Sequence, residues 1–507
     1  MSPLALETPS TYSCNNKLPT RQHCLKVKSL LKLSNDIDKN ERAMIYMQGA
    51  DHSMRDDTDV ELEFRQESNF FYLTGVDEPG FHVMIDLQTD LVYLIPPTIP
   101  DTETVWKGAP DSTSELLKKY DVDVVMEESK FVTYLADTLK PTVIHMLDNA
   151  IDEKRQVERP TLLEGINCEI STNTMREALY EARLIKFPWE IDLIRQATYI
   201  SSHAHMALMQ ATKTRHTTEK QLAAYFRWIT ACYGLDRQAY IPIVASGPRA
   251  ATLHYTKNNM PLPEDALVLV DAGAECQCYS SDVTRTFPVS GTFSAEAKVI
   301  YNIVLAMQEA VLDRLAPGVM WTEMEDLAIQ VLCNKLTEIG ILVGTQEELI
   351  ESGVPYAFYF HSLGHSVGLN VHDVGGRTMY HADHKLEYSP FLVDRPLESS
   401  MVITVEPGLY FNDTYLKIWT QFPEYQRFFN MDVLERYRSV GGIRIEDTVV
   451  ITPDGHENLT LAPKTVEAIE ALMSSKTKKP LQSNPTLSIP SSNNLIFSSL
   501  PNVLSLS

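Results

Sequence analysis

Carboxylates set into apolar strands constrain this chain more than any other feature. Leu267 to Val270 form an apolar, partly β-branched run of the kind that is covered on both faces, and Asp271 interrupts it. Asp282 follows in a second strand-like stretch, "SSDVTRTFPV". Glu406 closes the apolar part of "MVITVEPGLYF" and is held by Pro407-Gly408. In "GGIRIEDTVVIT" the alternation puts Ile443, Ile445 and Asp447 on one face and Arg444 and Glu446 on the other. An isolated ionised carboxylate is expensive to bury, so each of these needs a cation, a cluster of donors or water.

Taken singly, each acid has an ordinary explanation: an aspartate after a strand is usually a turn former, and a glutamate beside an arginine can simply pair with it. The segment "FHSLGHSVGLNVHDVGG" adds His361, His365 and His372 among glycines. Four acids in one interior demand a large positive charge, which two divalent cations would supply. Carboxylates with one imidazole and no thiolate make a hard, oxygen-rich set, favouring manganese, with cobalt, iron or zinc as alternatives. Two such ions about 3.5–4 Å apart can share bridging carboxylates.

The rest of the chain reads as α+β. Residues 1–177 suggest one α/β unit, with strands at "FHVMIDL" and "LVYLIPP" joined by a turn at Gln88-Thr89-Asp90. The aromatic-rich "FRQESNFFYLTG" suggests core packing beside a turn. A long helical stretch follows, with Pro188 marking a fresh start inside it. Residues 178–474 then form the second domain, with helices covering a curved, mostly antiparallel sheet. One helix is expected to carry Val299, Ile300, Ile303, Val304, Met307 and Val311 on one face and to end before Pro317-Gly318; the next is expected to start at Thr322 with Glu325 completing a capping box. Residues 475–507, rich in Ser, Pro and Asn, suggest a disordered tail.

A net charge of −23 and a pI near 5.0 argue against nucleic acid or an anionic membrane as partner. No apolar run is long enough to span a bilayer, and the first residues lack the pattern of a secretory signal. Seven scattered cysteines then suggest reduced thiols and a cytoplasmic protein. Cys276 and Cys278 form C-x-C, but no second pair completes a thiolate metal site.

Together, "VDAGAE", "SSDVTRTFP", "HSLGHSVGLNVHDVGG", "TVEPGLYF" and "VLERYRSVGGIRIEDTVVIT" resemble the pita-bread metallopeptidases, specifically the Xaa-Pro peptidases, prolidase and aminopeptidase P. The resemblance implies a C-terminal pita-bread (creatinase/aminopeptidase-type) catalytic domain, a smaller N-terminal domain capping the cleft, and a homodimer. It implies five metal ligands: Asp271 on one metal, His365 and Glu406 on the second, with Asp282 and Glu446 bridging. It further implies that His254, His361 and His372 meet the substrate and the transition state, and that Arg444 orients the last bridging glutamate. The activity implied is metal-assisted hydrolysis of the bond before proline, with Glu406 as proton shuttle and His361 or His372 donating to the oxyanion.

Three segments depart from the family pattern: Phe360 and Ser362 around the first histidine, Arg249 in "SGPRAATLHY", and Ser399-Ser400 before the glutamate strand. None removes a ligand. A strict Xaa-Pro dipeptidase would need a group for the free carboxylate of proline, and Arg249 and Arg395 are the candidates. The alternatives are a methionine aminopeptidase, a creatinase-like enzyme, or a non-catalytic pita-bread binding protein; retention of all five ligands disfavours the last.

Overall fold

The computed structural model describes residues 17–33, 42–147, 160–212, 218–375, 393 and 395–475. The Ser-rich segment from 476 onward, expected to be a disordered tail, lies outside the described residues.

The N-terminal part is built on a six-stranded mixed sheet. Its strands are β1 (Ala43–Gln48), β2 (His82–Asp86), β3 (Val92–Ile95), β4 (Val124–Val125), β5 (Val143–Met146) and β6 (Glu169–Ser171), ordered β4-β3-β2-β1-β5-β6. The β1–β2 and β2–β3 pairs are antiparallel and the other three are parallel. The β2–β3 hairpin turns where expected: Asp86 accepts the Gln88 N–H at 2.9 Å and Asp90 takes a left-handed φ of 61°. The segment "FRQESNFFYLTG" is a helix, Ser68–Thr74, buried along its whole length and capped by Glu67. It does more than fill the core. Arg65, just before it, donates to the carbonyls of Cys278 and Leu369 in the second domain.

Residue 177 falls in the first turn of the helix Met175–Leu184, which packs on the helix Arg21–Leu33. Pro188 opens the next helix, Pro188–Thr212, at the position where a missing N–H costs nothing.

The second domain carries three short antiparallel ladders. One has the order β11-β8-β7, from β7 (Ile243–Ser246), β8 (Leu267–Asp271) and β11 (Thr284–Pro288). Another has the order β12-β15-β16, from β12 (Val402–Val405), β15 (Asp447–Thr452) and β16 (Gly455–Asn458). The third pairs β13 (Gly408–Tyr410) with β14 (Gly442–Arg444). A single bridge from Thr284 to Glu446 ties β11 to the link between β14 and β15, and another from Ser366 to Ile403 ties a loop to β12. Between β8 and β11 a small ribbon, β9 (Glu275–Cys276) with β10 (Tyr279–Ser280), turns through Gln277 and Cys278, both at positive φ. The C-x-C pair is therefore part of a hairpin, with both cysteines buried and neither in a disulfide.

The helices Ala295–Leu312 and Trp321–Glu338 cover the ladders. Their apolar faces share one core with Val270, Phe287, Ile403, Val405, Ile443 and Ile445. The capping box expected at Thr322 is not formed: the helix starts at Trp321, and Met320, its cap, makes no side-chain bond. Burying the Trp321 indole at 1% exposure fixes the start, which outweighs a cap contribution of about 1 kcal/mol. Among the described residues, no helix is long and apolar enough to cross a membrane.

Candidate metal centre and active site

The ladders bring the acids together through their register. β8 and β11 pair so that Asp271 faces Thr284, and Thr284 bridges in turn to Glu446. β12 and β15 pair Val405 with Asp447, so the same register carried one step further sets Glu406 against Glu446. Asp282 lies in the short link between β10 and β11, not inside a strand as the sequence suggested. Its carbonyl is taken by the Thr448 hydroxyl at 2.7 Å, and the chain there is pressed against Gly273, where a Cβ would lie 1.9 Å from Ser281 O.

The loop after Phe360 brings His365 to the same place. Thr404 N–H donates to His365 O (2.8 Å), His365 N–H donates to Thr404 Oγ1 (3.0 Å), and Glu406 N–H donates to Leu363 O (2.8 Å). So close an approach needs Gly364: a Cβ there would sit 2.1 Å from Thr404 O.

Ligand atoms of Asp282, His365 and Glu446 all lie within 4.8 Å of one another, and all three residues are buried. Asp271 and Glu406 flank them. The Tyr240 hydroxyl lies 2.6 Å from both Asp271 Oδ1 and Asp282 Oδ1, and His365 Nε2 is 3.3 Å from Asp282 Oδ2 and 3.3 Å from Glu406 Oε1. All five expected ligands thus converge.

The bonding of His365 tests whether a cation fits. Nδ1 lies 3.0 Å from the Ser366 carbonyl, so Nδ1 carries the hydrogen and Nε2 presents its lone pair to two carboxylates. A lone pair aimed at two anionic oxygens is repulsive unless a proton or a metal ion lies between them. A histidine ligand anchored through its other nitrogen to a carbonyl is the usual metal-site arrangement. Charge balance favours the ion. Four carboxylates surround one guanidinium, Arg444, which is only 4% exposed. In the metal-free polypeptide, burial and then Asp271 push Asp282 up to about 8. Burial and then the neighbouring acids also raise Glu406 and Glu446 well above the usual carboxylate range. These acids fit divalent cations and fit poorly without them.

Arg444 lies near enough to Glu446 to act on it electrostatically, while its side-chain bonds go to other groups. It pairs with Asp271 (Nη2 to Oδ2, 2.5 Å) and donates to the Tyr410 hydroxyl (3.0 Å) and Thr284 Oγ1 (3.3 Å). Its link to Glu446 runs through Thr284, whose hydroxyl donates to Glu446 Oε2 at 2.7 Å. Arg444 and Glu446 thus meet on the Thr284 hydroxyl of β11, while the ion pair of Arg444 goes to Asp271 at the end of β8.

His361 Nδ1 lies 2.8 Å from the Ser362 carbonyl and Nε2 2.8 Å from the Tyr410 hydroxyl. Nδ1 therefore carries the hydrogen and Tyr410 donates to Nε2. Burial, with the positive charge of Arg444, pushes His361 down to about 3 and keeps it neutral. His372 stacks edge-on against His365, ring centres 4.3 Å apart. His254, exposed on the segment after β7, is near enough to act electrostatically on both. The two arginines considered as carboxylate anchors are otherwise engaged: Arg249 pairs with buried Glu219 at 3.0 Å, and Arg395 grips both oxygens of Glu181 at 2.9 Å.

Several supporting residues escaped the sequence: Tyr240, Thr284 and Thr404 bond to the clustered acids and His365, Tyr410 links His361 to Arg444, and buried His205 lies 2.9 Å from the Ala272 carbonyl beside Asp271. Tyr and Thr inside strand-like runs carry no signal that separates them from packing residues.

Comparison with known proteins agrees with this geometry. Residues 192–453 match the model of metallopeptidase family M24, and residues 23–145 match the aminopeptidase P N-terminal domain. The chain belongs to metallopeptidase family M24. Among its M24 relatives, a "Probable Xaa-Pro aminopeptidase" of Paracoccidioides brasiliensis (strain Pb18) is 38% identical over 466 residues, covering 91% of this chain and 98% of the relative. One of the same description from Coccidioides posadasii (strain C735) is 39% identical, covering 90% and 97%. The solved structure of aminopeptidase P from E. coli (low pH form) superposes with a TM-score of 0.74 at 28% identity, covering 90% of this chain and 99% of that one. Proline aminopeptidase P II from Yersinia pestis gives 0.72 at 30% identity, with the same coverage. Membership in M24 makes the chain a metallopeptidase and implies divalent metal at the acid cluster.

Proposed function

We propose that the chain is an Xaa-Pro exopeptidase that removes the N-terminal residue preceding proline, with two divalent ions held by Asp271, Asp282, His365, Glu406 and Glu446. The observation that carries this reading is the His365 imidazole, anchored through Nδ1 and turning its free lone pair toward Asp282 and Glu406. The hard donor set favours manganese; the similar structures include a zinc-substituted E. coli aminopeptidase P in complex with product. When bound, the ions polarise the scissile carbonyl and lower the pKa of water for attack.

The protein's own groups supply the rest. Glu406, whose side chain is the most open of the four acids at 15% exposure, takes a proton from the attacking water and returns it to the proline nitrogen. His372 donates to the developing oxyanion, since His361 Nε2 is already an acceptor for Tyr410. His361 and Tyr410 form, with Arg444, a chain that ends on Asp271 and holds that ligand in place. His254 lines the exposed side of the substrate path.

Engagement of Arg249 and Arg395 in ion pairs supports an aminopeptidase over a strict dipeptidase, because neither is available for the carboxylate of a free proline. The reading further includes a homodimer, a division of the chain near residue 177 and a cytoplasmic location. The six described cysteines, none of them in a disulfide, support that location. Its test is a substrate series, Gly-Pro, Gly-Pro-Ala and longer, with manganese supplied. Turnover of the tripeptide and longer peptides in preference to Gly-Pro is expected. Cleavage of Gly-Pro alone would establish a dipeptidase, and no cleavage with metal bound would refute the activity.

A further inference from the structure

Next to His372 lies a charged cluster that the proposed chemistry does not use. Asp373 is 1% exposed and meets two equally buried cations: Arg183 Nη2 at 2.5 Å and Lys186 Nζ at 3.3 Å. Its carboxylate occupies space that only a glycine leaves open, since a Cβ on Gly368 would lie 2.1 Å from Asp373 Oδ2. Glu67 and buried Glu190 add their negative charge around the same two cations, and a buried network of this kind is costly to bury unless its partners are well placed.

The cluster sits at the neck of the loop 366–373. Asp373 N–H donates to the Ser366 carbonyl at 2.9 Å, the same carbonyl that accepts from His365 Nδ1, and Lys186 Nζ also reaches Ser366 Oγ at 3.3 Å. The loop is thus closed on itself with His372 at its end. Arg183 extends the cluster to the N-terminal domain, donating to Asn69 Oδ1 at 2.6 Å from the helix Met175–Leu184.

We propose that Asp373, clamped by Arg183 and Lys186, is a positioning residue that holds His372 against the metal centre, and that Asn69 ties this clamp to the N-terminal domain. The proposal rests on the role given to His372 above. A shift of about 1 Å in a catalytic group can cost about 100-fold in rate, so a clamp at the adjacent residue has leverage that its distance from the substrate conceals.

The test is a double-mutant cycle on the metal-loaded, full-length protein with Gly-Pro-Ala as substrate, combining Asp373→Asn with His372→Ala. The expected result is a fall in kcat/KM of about 100-fold for Asp373→Asn alone, shrinking to less than about 3-fold when His372 is already alanine, with bound metal unchanged. Equal losses in both backgrounds, or loss of metal in Asp373→Asn, would overturn the proposal while leaving the role of His372 intact. A His372→Ala enzyme with unaltered turnover would instead remove that role and the proposal with it. Should Asp373→Asn not fold, Lys186→Met decides by the same cycle. It keeps a neutral Arg183–Asp373 pair, and a loss of about 10-fold that vanishes in the His372→Ala background is expected.

Discussion

Replacing Gly364 by alanine probes how the metal centre is assembled without touching a ligand. The new Cβ would lie 2.1 Å from Thr404 O, 2.8 Å from Thr404 C and 2.9 Å from Thr404 Oγ1, where ordinary contact begins at 3.4 Å. The His365 loop and β12 must therefore part by roughly 1.3 Å, and displacement on this scale costs about 100-fold in rate when it misplaces a catalytic group. Overpacking of this kind costs about 1–3 kcal/mol of stability. Two backbone bonds joining the loop to β12, Thr404 N–H to His365 O and Glu406 N–H to Leu363 O, add about 1 kcal/mol each if lost. Gly455→Ala is the control, because its Cβ would find only Leu315 O at 3.8 Å. Thermal unfolding, bound metal per chain and kcat/KM are measured on both variants. Gly364→Ala should lose stability, metal affinity and about two orders of magnitude of activity, while Gly455→Ala should behave as wild type. A Gly364→Ala protein with wild-type turnover and metal content would show that the close approach of these two segments does not set the ligand geometry.

Metal removal should expose the repulsion among the acids. Asp282, Glu406 and Glu446 hold their protons more tightly in the metal-free fold than in the unfolded chain. Chelated protein should therefore lose stability as pH rises from about 4, where unfolded carboxylates titrate, through about 8, where Asp282 does. The gap in Tm between loaded and chelated protein should widen over this range; a constant or narrowing gap would contradict the assignment. Asp282→Asn should abolish hydrolysis of Gly-Pro-Ala and lower metal content while circular dichroism stays native, and wild-type turnover would refute its place between the metals. His361→Ala should lower turnover with metal retained, and loss of metal would make it part of the coordination sphere.

The acid cluster was legible because each acid breaks an apolar pattern, and so large a departure has few physical explanations. Glu406 after "MVITV" and Glu446 within "GGIRIEDTVVIT" emerge from their strands as their flanks suggested, and Arg444 and Glu446 share a face as alternation requires. The hairpin at Gln88-Thr89-Asp90 and the helix opening at Pro188 were legible for the same local reasons. Long-range contacts were not. Arg444 pairs with Asp271, 173 positions away, and Asp373 finds Arg183 only through folding across 190 positions. Residues 65–74 resembled simple core, yet Arg65 reaches across to the second domain. The start at Trp321 was hidden because burial of one indole outranks a local capping signal.

The central claim is that this interior holds its acids together only by holding divalent metal. Its most direct test is to strip the protein with chelator, return manganese stepwise, and follow bound metal and Gly-Pro-Ala hydrolysis on the same samples. Hydrolysis should vanish on stripping and return as occupancy rises to two ions per chain. Full turnover by a demonstrably metal-free protein would contradict it.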